Sequence, residues 1–200
     1  MTSPLFEQLR QQLIPLDQPL AGDIPFPGQA AVLVLISESH EPSLLFTKRA
    51  AHLRQHAGEV CFPGGMWEPG DLDLSATALR ETWEEIGLPP SAINLLGKLK
   101  PGQTRAGTWV TPFVGSFNTA CPFIPNRDEL DSIFTIPLQR FSQGIQVRMD
   151  QFERAGIQYE VPVYIDQGYE IWGFTAAITA RLLKRWVVLD GIRDSLPDNL

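Results

Sequence analysis

Apolar residues along this chain follow two rhythms, and the switches between them mark its elements. Leu5, Phe6, Leu9 and Leu13 fall at helical spacing, which predicts a short amphipathic helix over 3–14. Residues 15–28 hold several Pro and Gly and read as a connector. A nearly continuous apolar run over 29–36 predicts a buried strand, and 43–48 a second one after the Glu41-Pro42 turn. A short strand over 60–62 leads into Gly64-Gly65. Further strands are expected over 93–99, 108–117 and 130–136, with a loop over 122–127 and a short helix over 137–143. A hairpin over 158–165 and 169–172 and a long helix over 175–189 complete the chain, followed by a loose tail.

The helix between residues 75 and 87 carries the most specific pattern. Ser75 is its expected N-cap, with Asp71 and Asp73 near the positive end of the helix dipole. Leu79, Trp83 and Ile86 form an apolar stripe at i, i+4 and i+7. Gly87 supplies the stop, and Pro89-Pro90 prevents continuation. Strands interleaved with helices point to an α/β fold, a mixed sheet with helices on both faces in an α/β/α sandwich. The expected organisation is a helix and connector over 1–28, one domain over 29–190, and a tail over 191–200.

Composition narrows the function. A net charge of −7 argues against binding nucleic acid through phosphate neutralisation. No apolar run approaches the length of a membrane span, and the N-terminus lacks a secretory pattern, so a cytoplasmic protein is expected. Cys61 and Cys121 are only two and lie in unlike contexts, which fits a reducing compartment. Cys61, at the end of an apolar strand, reads as a buried inert thiol. Trp109 and Trp172 read as core.

The chemistry lies in Gly64-Gly65-Met66-Trp67-Glu68-Pro69-Gly70-Asp71 and the following Arg80-Glu81-Thr82-Trp83-Glu84-Glu85-Ile86-Gly87. With about 3.6 residues per turn, Glu81, Glu84 and Glu85 share one side of the helix. Carboxylates so close repel one another unless a hard cation neutralises them, and Mg²⁺ bound this way normally also holds substrate phosphates. Arg80 stands four residues before Glu84, within reach of an orienting ion pair. Glu68 and Asp71 read as shapers of the loop or holders of outer-shell water, and Glu129 as a carboxylate from outside the helix that can serve as general base. Glycine at 64 and 65 lets backbone approach a metal ion or a phosphate. Lys48, Arg49, His52, Arg54 and His56 form a basic cluster in an acidic chain.

These residues resemble the Nudix box, the loop–helix–loop signature of hydrolases that act on a nucleoside diphosphate linked to another group. Three positions depart from its usual form: Asp71 stands for the first Glu, eight residues separate it from Arg80, and Thr82 occupies an aliphatic position. The segment from Leu45 to Gly65 is similar to the second signature of the coenzyme A pyrophosphatase branch, which commonly shares the first two departures. Further similarity lies at 110–114 and 171–176, so the resemblance covers about residues 29–185.

The resemblance implies a Nudix-type α/β/α sandwich and a Mg²⁺- or Mn²⁺-dependent diphosphatase of coenzyme A or acyl-coenzyme A. Its products would be 3′,5′-ADP and 4′-phosphopantetheine or its acyl form. Glu81 and Glu85 are the expected principal metal ligands, with Glu84 a third. Arg80 is expected beside them as the orienting partner in the catalytic set. Arg49, Arg54, His56, Gly64 and Gly65 are the expected substrate contacts, the arginines on phosphates. Hydrolysis of ADP-ribose or another nucleoside diphosphate derivative is the alternative, and a non-catalytic nucleotide sensor a third reading. A homodimer is compatible with the resemblance, but no residue pattern fixes it.

Overall fold

The computed structural model describes residues 4–20, 25–154 and 157–190. Its elements in chain order are α1 (Pro4–Gln12), β1 (Gln29–Ser37), β2 (Ser43–Arg49), β3 (Val60–Cys61), β4 (Gly64–Met66), α2 (Leu74–Ile86), β5 (Ile93–Lys98), β6 (Gly102–Gln103), β7 (Trp109–Phe117), β8 (Leu130–Pro137), α3 (Leu138–Gln143), β9 (Gln146–Arg154), β10 (Ile157–Asp166), β11 (Tyr169–Ile171) and α4 (Gly173–Asp190). The expected tail over 191–200 lies outside the described residues.

Strands β1 to β8 form a mixed sheet whose main path is β3-β2-β1-β7-β5. The pair β1/β7 is parallel and the other pairs are antiparallel. A parallel neighbour needs a long crossover, and here that crossover contains β4 and α2, the segment bearing the acidic motif. A second sheet, β11-β10-β9, is wholly antiparallel.

Alternation along β1 sends side chains into two cores. Val34 and Ile36 join Phe6, Leu9, Tyr164 and Leu182, so α1, α4 and the second sheet cover one face. Ala31, Leu33 and Leu35 join Leu74, Ala78 and Ile86 of α2 on the other. The central strands are buried on both faces, which is why β1 reads as a continuous apolar run rather than an alternating one.

The structure corrects several expectations. Asp73, not Ser75, caps α2: its Oδ1 accepts from the Ala76 N–H at 2.8 Å and from the Ser75 hydroxyl at 2.6 Å. The buried side of α2 is Leu74, Ala78, Thr82, Glu85 and Ile86, whereas Trp83 is 50% exposed. Thr82 fits where an aliphatic residue is usual because its hydroxyl donates to the Ala78 carbonyl at 2.7 Å, leaving the methyl to pack. Trp109 and Trp172 are exposed, not core. The expected late hairpin is two strands of a three-stranded meander, whose first strand, β9, pairs along β10. Its sequence QVRMDQFER has no strong apolar alternation.

Candidate functional site

Two features set the shape of the site: a glycine pair on β4 and an arginine that straps the following loop to α2. Gly64 has φ 151° and lies against β1, so a Cβ there would overlap the backbone of Ala31 and Val32. A Cβ on Gly65 would overlap the carboxylate of Glu81. The glycines therefore let the strand close onto β1 on one side and the acidic side chains on the other. The Gly64 N–H donates to Glu85 Oε2 at 3.3 Å.

Arg80 spends every guanidinium nitrogen on the loop and helix. Its Nε and Nη2 donate to the two oxygens of Asp71 at 2.9 and 3.0 Å. Nη2 also reaches the Met66 carbonyl at 3.1 Å, and Nη1 donates to Glu81 Oε1 at 3.0 Å and Glu84 Oε2 at 2.9 Å. This forked pairing holds the Asp71 carboxyl below the usual carboxylate range, helped by the Thr77 hydroxyl and the Glu68 N–H. Hydrogen bonding to Asp71 in turn raises the Arg80 guanidinium. Asp71 is thus the anchor of the loop. Glu68 contributes its backbone amide to that anchor.

Glu85 is the most perturbed carboxyl of the site. It is 2% exposed, and burial, reinforced by the charge of Glu81, pushes its pKa up to about 8. The Gly64 N–H and Arg49, whose Nη1 lies 4.0 Å from Glu85 Oε1, offset only part of that rise. Burial also raises Glu81, with Arg80 opposing and Glu84 and Glu129 adding to the rise. Glu84 differs: half exposed and held by Arg80, it lies outside the buried pair.

Glu129 arrives from the loop before β8, as a carboxylate whose charge is felt at both Glu81 and Glu85. Asn126 places it by donating Nδ2 to Glu129 Oε1 at 2.9 Å. The same loop is bolted to the end of α2, where the Ile124 N–H donates to the Ile86 carbonyl and the Asn126 N–H to the Glu85 carbonyl, both at 2.8 Å. Those bonds satisfy carbonyls that a helix end leaves unpaired. Sequence reasoning passed over Asn126. The signal available was the turn chemistry of Asn126 itself, whose Oδ1 accepts from the Asp128 N–H two residues on at 3.1 Å.

The basic cluster divides. Arg49 faces Glu85, and its Nε is buried without a hydrogen-bond partner. Lys48 projects from the opposite face of β2, 5.9 Å from the ring centre of Tyr169. Arg54 and His56 sit on the exposed loop between β2 and β3. There His56 has φ 57° and pairs through Nδ1 with Glu59 Oε2 at 2.9 Å, while His52 Nε2 meets the Asp128 carbonyl at 3.1 Å. Cys61 is an inert thiol in this setting, since burial pushes it up to about 11.

Among the described residues no three His, Cys, Asp or Glu side chains converge as a ready-made metal cluster. The donor chemistry nonetheless suits a hard divalent cation. Two desolvated carboxylates, Glu81 and Glu85, both resist ionising where they stand, and oxygen donors are what Mg²⁺ and Mn²⁺ prefer.

A family model described as the NUDIX domain matches residues 27–150. The chain belongs to the Nudix family. Uncharacterized Nudix hydrolases NudL of Yersinia pestis (strain Pestoides F) and Yersinia pseudotuberculosis serotype O:3 (strain YPIII) are each 41% identical to it over 157 residues, covering 78% of this chain and 79% of theirs. A solved structure of a MutT/nudix family protein from Enterococcus faecalis covers 94% of this chain and 75% of its own, with TM-score 0.51 and 16% identity. That likeness bears on the fold, and it agrees with the mixed α/β architecture of this Nudix chain. Family and relatives together make the protein a Nudix enzyme of the pyrophosphohydrolase class, acting on nucleoside diphosphate linkages. Among the described residues no helix is long and apolar enough to cross a membrane.

Proposed function

We propose that this Nudix enzyme cleaves the diphosphate linkage of coenzyme A or its acyl thioesters, releasing 3′,5′-ADP and 4′-phosphopantetheine or its acyl form. The observation that carries the reading is Arg49. A guanidinium with a buried, unpartnered Nε beside the acidic pair is a donor without an acceptor, and a phosphate oxygen is the acceptor that suits it. The resemblance of residues 45–65 to the coenzyme A branch selects the substrate among diphosphates.

In this reading Glu81 and Glu85 hold Mg²⁺ or Mn²⁺, with Glu84 as a further ligand. When bound, the ion neutralises phosphate charge and lowers the pKa of a water molecule. The rest is done by the chain. Arg80 fixes the loop and orients Glu81 and Glu84. Gly64 and Gly65 keep backbone close to the carboxylates and open to a phosphate. Glu129, oriented by Asn126, takes a proton on Oε2 from the attacking water. Arg54 and His56 reach the substrate from the β2–β3 loop, where Arg54 meets the 3′-phosphate. A cytoplasmic location belongs to the same proposal.

Product analysis after incubation with coenzyme A and Mg²⁺ tests it, against a panel including ADP-ribose. Turnover of ADP-ribose without cleavage of coenzyme A selects the alternative substrate. Glu85→Gln separates enzyme from sensor: a catalyst loses most turnover while remaining folded, whereas a sensor binds nucleotide equally well in both forms and turns over in neither. Arg54→Ala should raise KM for coenzyme A much more than for a dinucleotide lacking the 3′-phosphate, and equal effects would remove Arg54 from the site.

A further inference from the structure

Among the described residues β9 pairs along its length with β10 and with no other strand, leaving its second edge open. Open edges invite another strand, and folds usually blunt them with charged side chains, proline, a bulge or a covering element; the charges on β9, Arg148, Asp150 and Glu153, are of mixed sign and so can complement a second copy. β9 has no proline, and its nine pairs with β10 run without a register shift. The opposite side of the same sheet is guarded. There β11 ends at the Tyr164–Ile171 pair, and Pro162 of β10 lies just beyond it.

Pro162 also reveals which β9 groups are free. A proline has no N–H, so inside a ladder it occupies a pair that exchanges no hydrogen bonds. Its partner is Met149. Met149 therefore turns its N–H and C=O away from β10, and with a period of two so do Val147 and Gln151. The side chains of Val147 and Met149 share a sheet face with the buried Tyr164 and Pro162 opposite them, yet are 47% and 39% exposed. Apolar surface and unpaired amides thus lie along one line.

We propose that this edge is a homodimer interface, in which β9 pairs antiparallel with β9 of a second copy about a two-fold axis through Met149. Charge favours a second copy as the occupant, and Met149 is the centre that pairs the most β9 residues, 146–152, without setting like charges opposite. Centring on Met149 sets Arg148 opposite the partner's Asp150 and Asp150 opposite the partner's Arg148, while Val147 faces the partner's Gln151. Centring on Arg148 or Asp150 would oppose like charges, which destabilises a cross-strand pair. An axis between two residues would match an outward-facing amide with an inward-facing one. In one protomer Arg148 Nε donates to Asp150 Oδ1 at 2.9 Å and Nη2 lies 3.5 Å from Glu170 Oε2; all three side chains are solvent-accessible and can exchange partners. The three-stranded sheets of two protomers then become one continuous sheet with a closed, isologous contact.

Sedimentation equilibrium of the full chain over a dilution series tests this. The expected result is a reversible dimer, monomeric as Met149→Pro, with far-UV circular dichroism retained because that amide serves no bond to β10. Arg148→Asp should also be monomeric, and the exchange Arg148→Asp with Asp150→Arg should restore the dimer. A wild-type chain that stays monomeric at every concentration overturns the proposal, even one whose β9 edge captures a different protein. A dimer that survives Met149→Pro, or an exchange that fails to restore association, overturns it as well.

Discussion

Replacing Glu85 with Gln should make the metal-free protein more stable at alkaline pH, not less. The carboxyl is almost fully buried, and its pKa rises from an ordinary 4.5 to about 8, chiefly through loss of solvation and secondly through Glu81. A folded-state pKa above the unfolded one means the folded protein holds a proton that the unfolded chain has already lost. The protonated carboxyl's contribution is thus fully present below pH 4.5 and fades as pH rises, until it is gone above pH 8. Each pKa unit is worth about 1.4 kcal/mol, so the ceiling on the difference is about 5 kcal/mol. Gln keeps an oxygen for the Gly64 N–H and never ionises, so its curve lacks this slope. Urea denaturation in EDTA from pH 4 to pH 9 measures it. Wild type and variant should coincide near pH 4 and diverge upward through neutrality, with the variant ahead. Added Mg²⁺ should restore the wild type at pH 8 and do little for the variant. Parallel curves across the range would refute the claim that Glu85 is buried as an unwelcome charge.

Arg80→Ala should abolish most turnover and cost about 1–3 kcal/mol of stability, because it leaves the nearly buried Asp71 carboxylate without its forked hydrogen-bond partner; kinetics and thermal melts measure the two losses. Gly65→Ala should weaken Mg²⁺-induced stabilisation at least tenfold in apparent affinity, by driving a methyl into the Glu81 carboxylate, while far-UV circular dichroism stays native. Thr82→Val should change stability by no more than about 1 kcal/mol, since the Ala78 carbonyl loses a hydroxyl donor but the shape is kept; a calorimetric melt checks this.

The ends of α2 were legible because their chemistry is local. Gly87 takes φ 70° and its N–H meets the Trp83 carbonyl, as a glycine stop should. Asp73 and Ser75 are both good caps, and only the backbone angles chose between them. The buried face of α2 departs from the apolar pattern for a physical reason. Pattern reading ranks Trp83 above Thr82 and Glu85 as a core residue, but the acidic site turns Glu85 inward and leaves Trp83 in solvent. Strands β1 and β7 were visible as apolar runs because they are covered on both faces, whereas β9, exposed along one edge, carries no such signature. The Arg80–Glu84 pair followed from helix spacing alone. That the same guanidinium reaches back to Asp71 and the Met66 carbonyl could not be read from spacing, since it depends on how the loop closes.

The docking of Ile124 and Asn126 onto the last carbonyls of α2 has a structural corollary. Glu129 inherits its position from the helix terminus rather than from the stretch that connects it to β7. Lengthening the exposed residues 118–120 should then leave the carboxylates in mutual register, so this bend is where the fold can accommodate insertions. A graft of several extra residues there, tolerated without loss of turnover, would be the mark of that freedom.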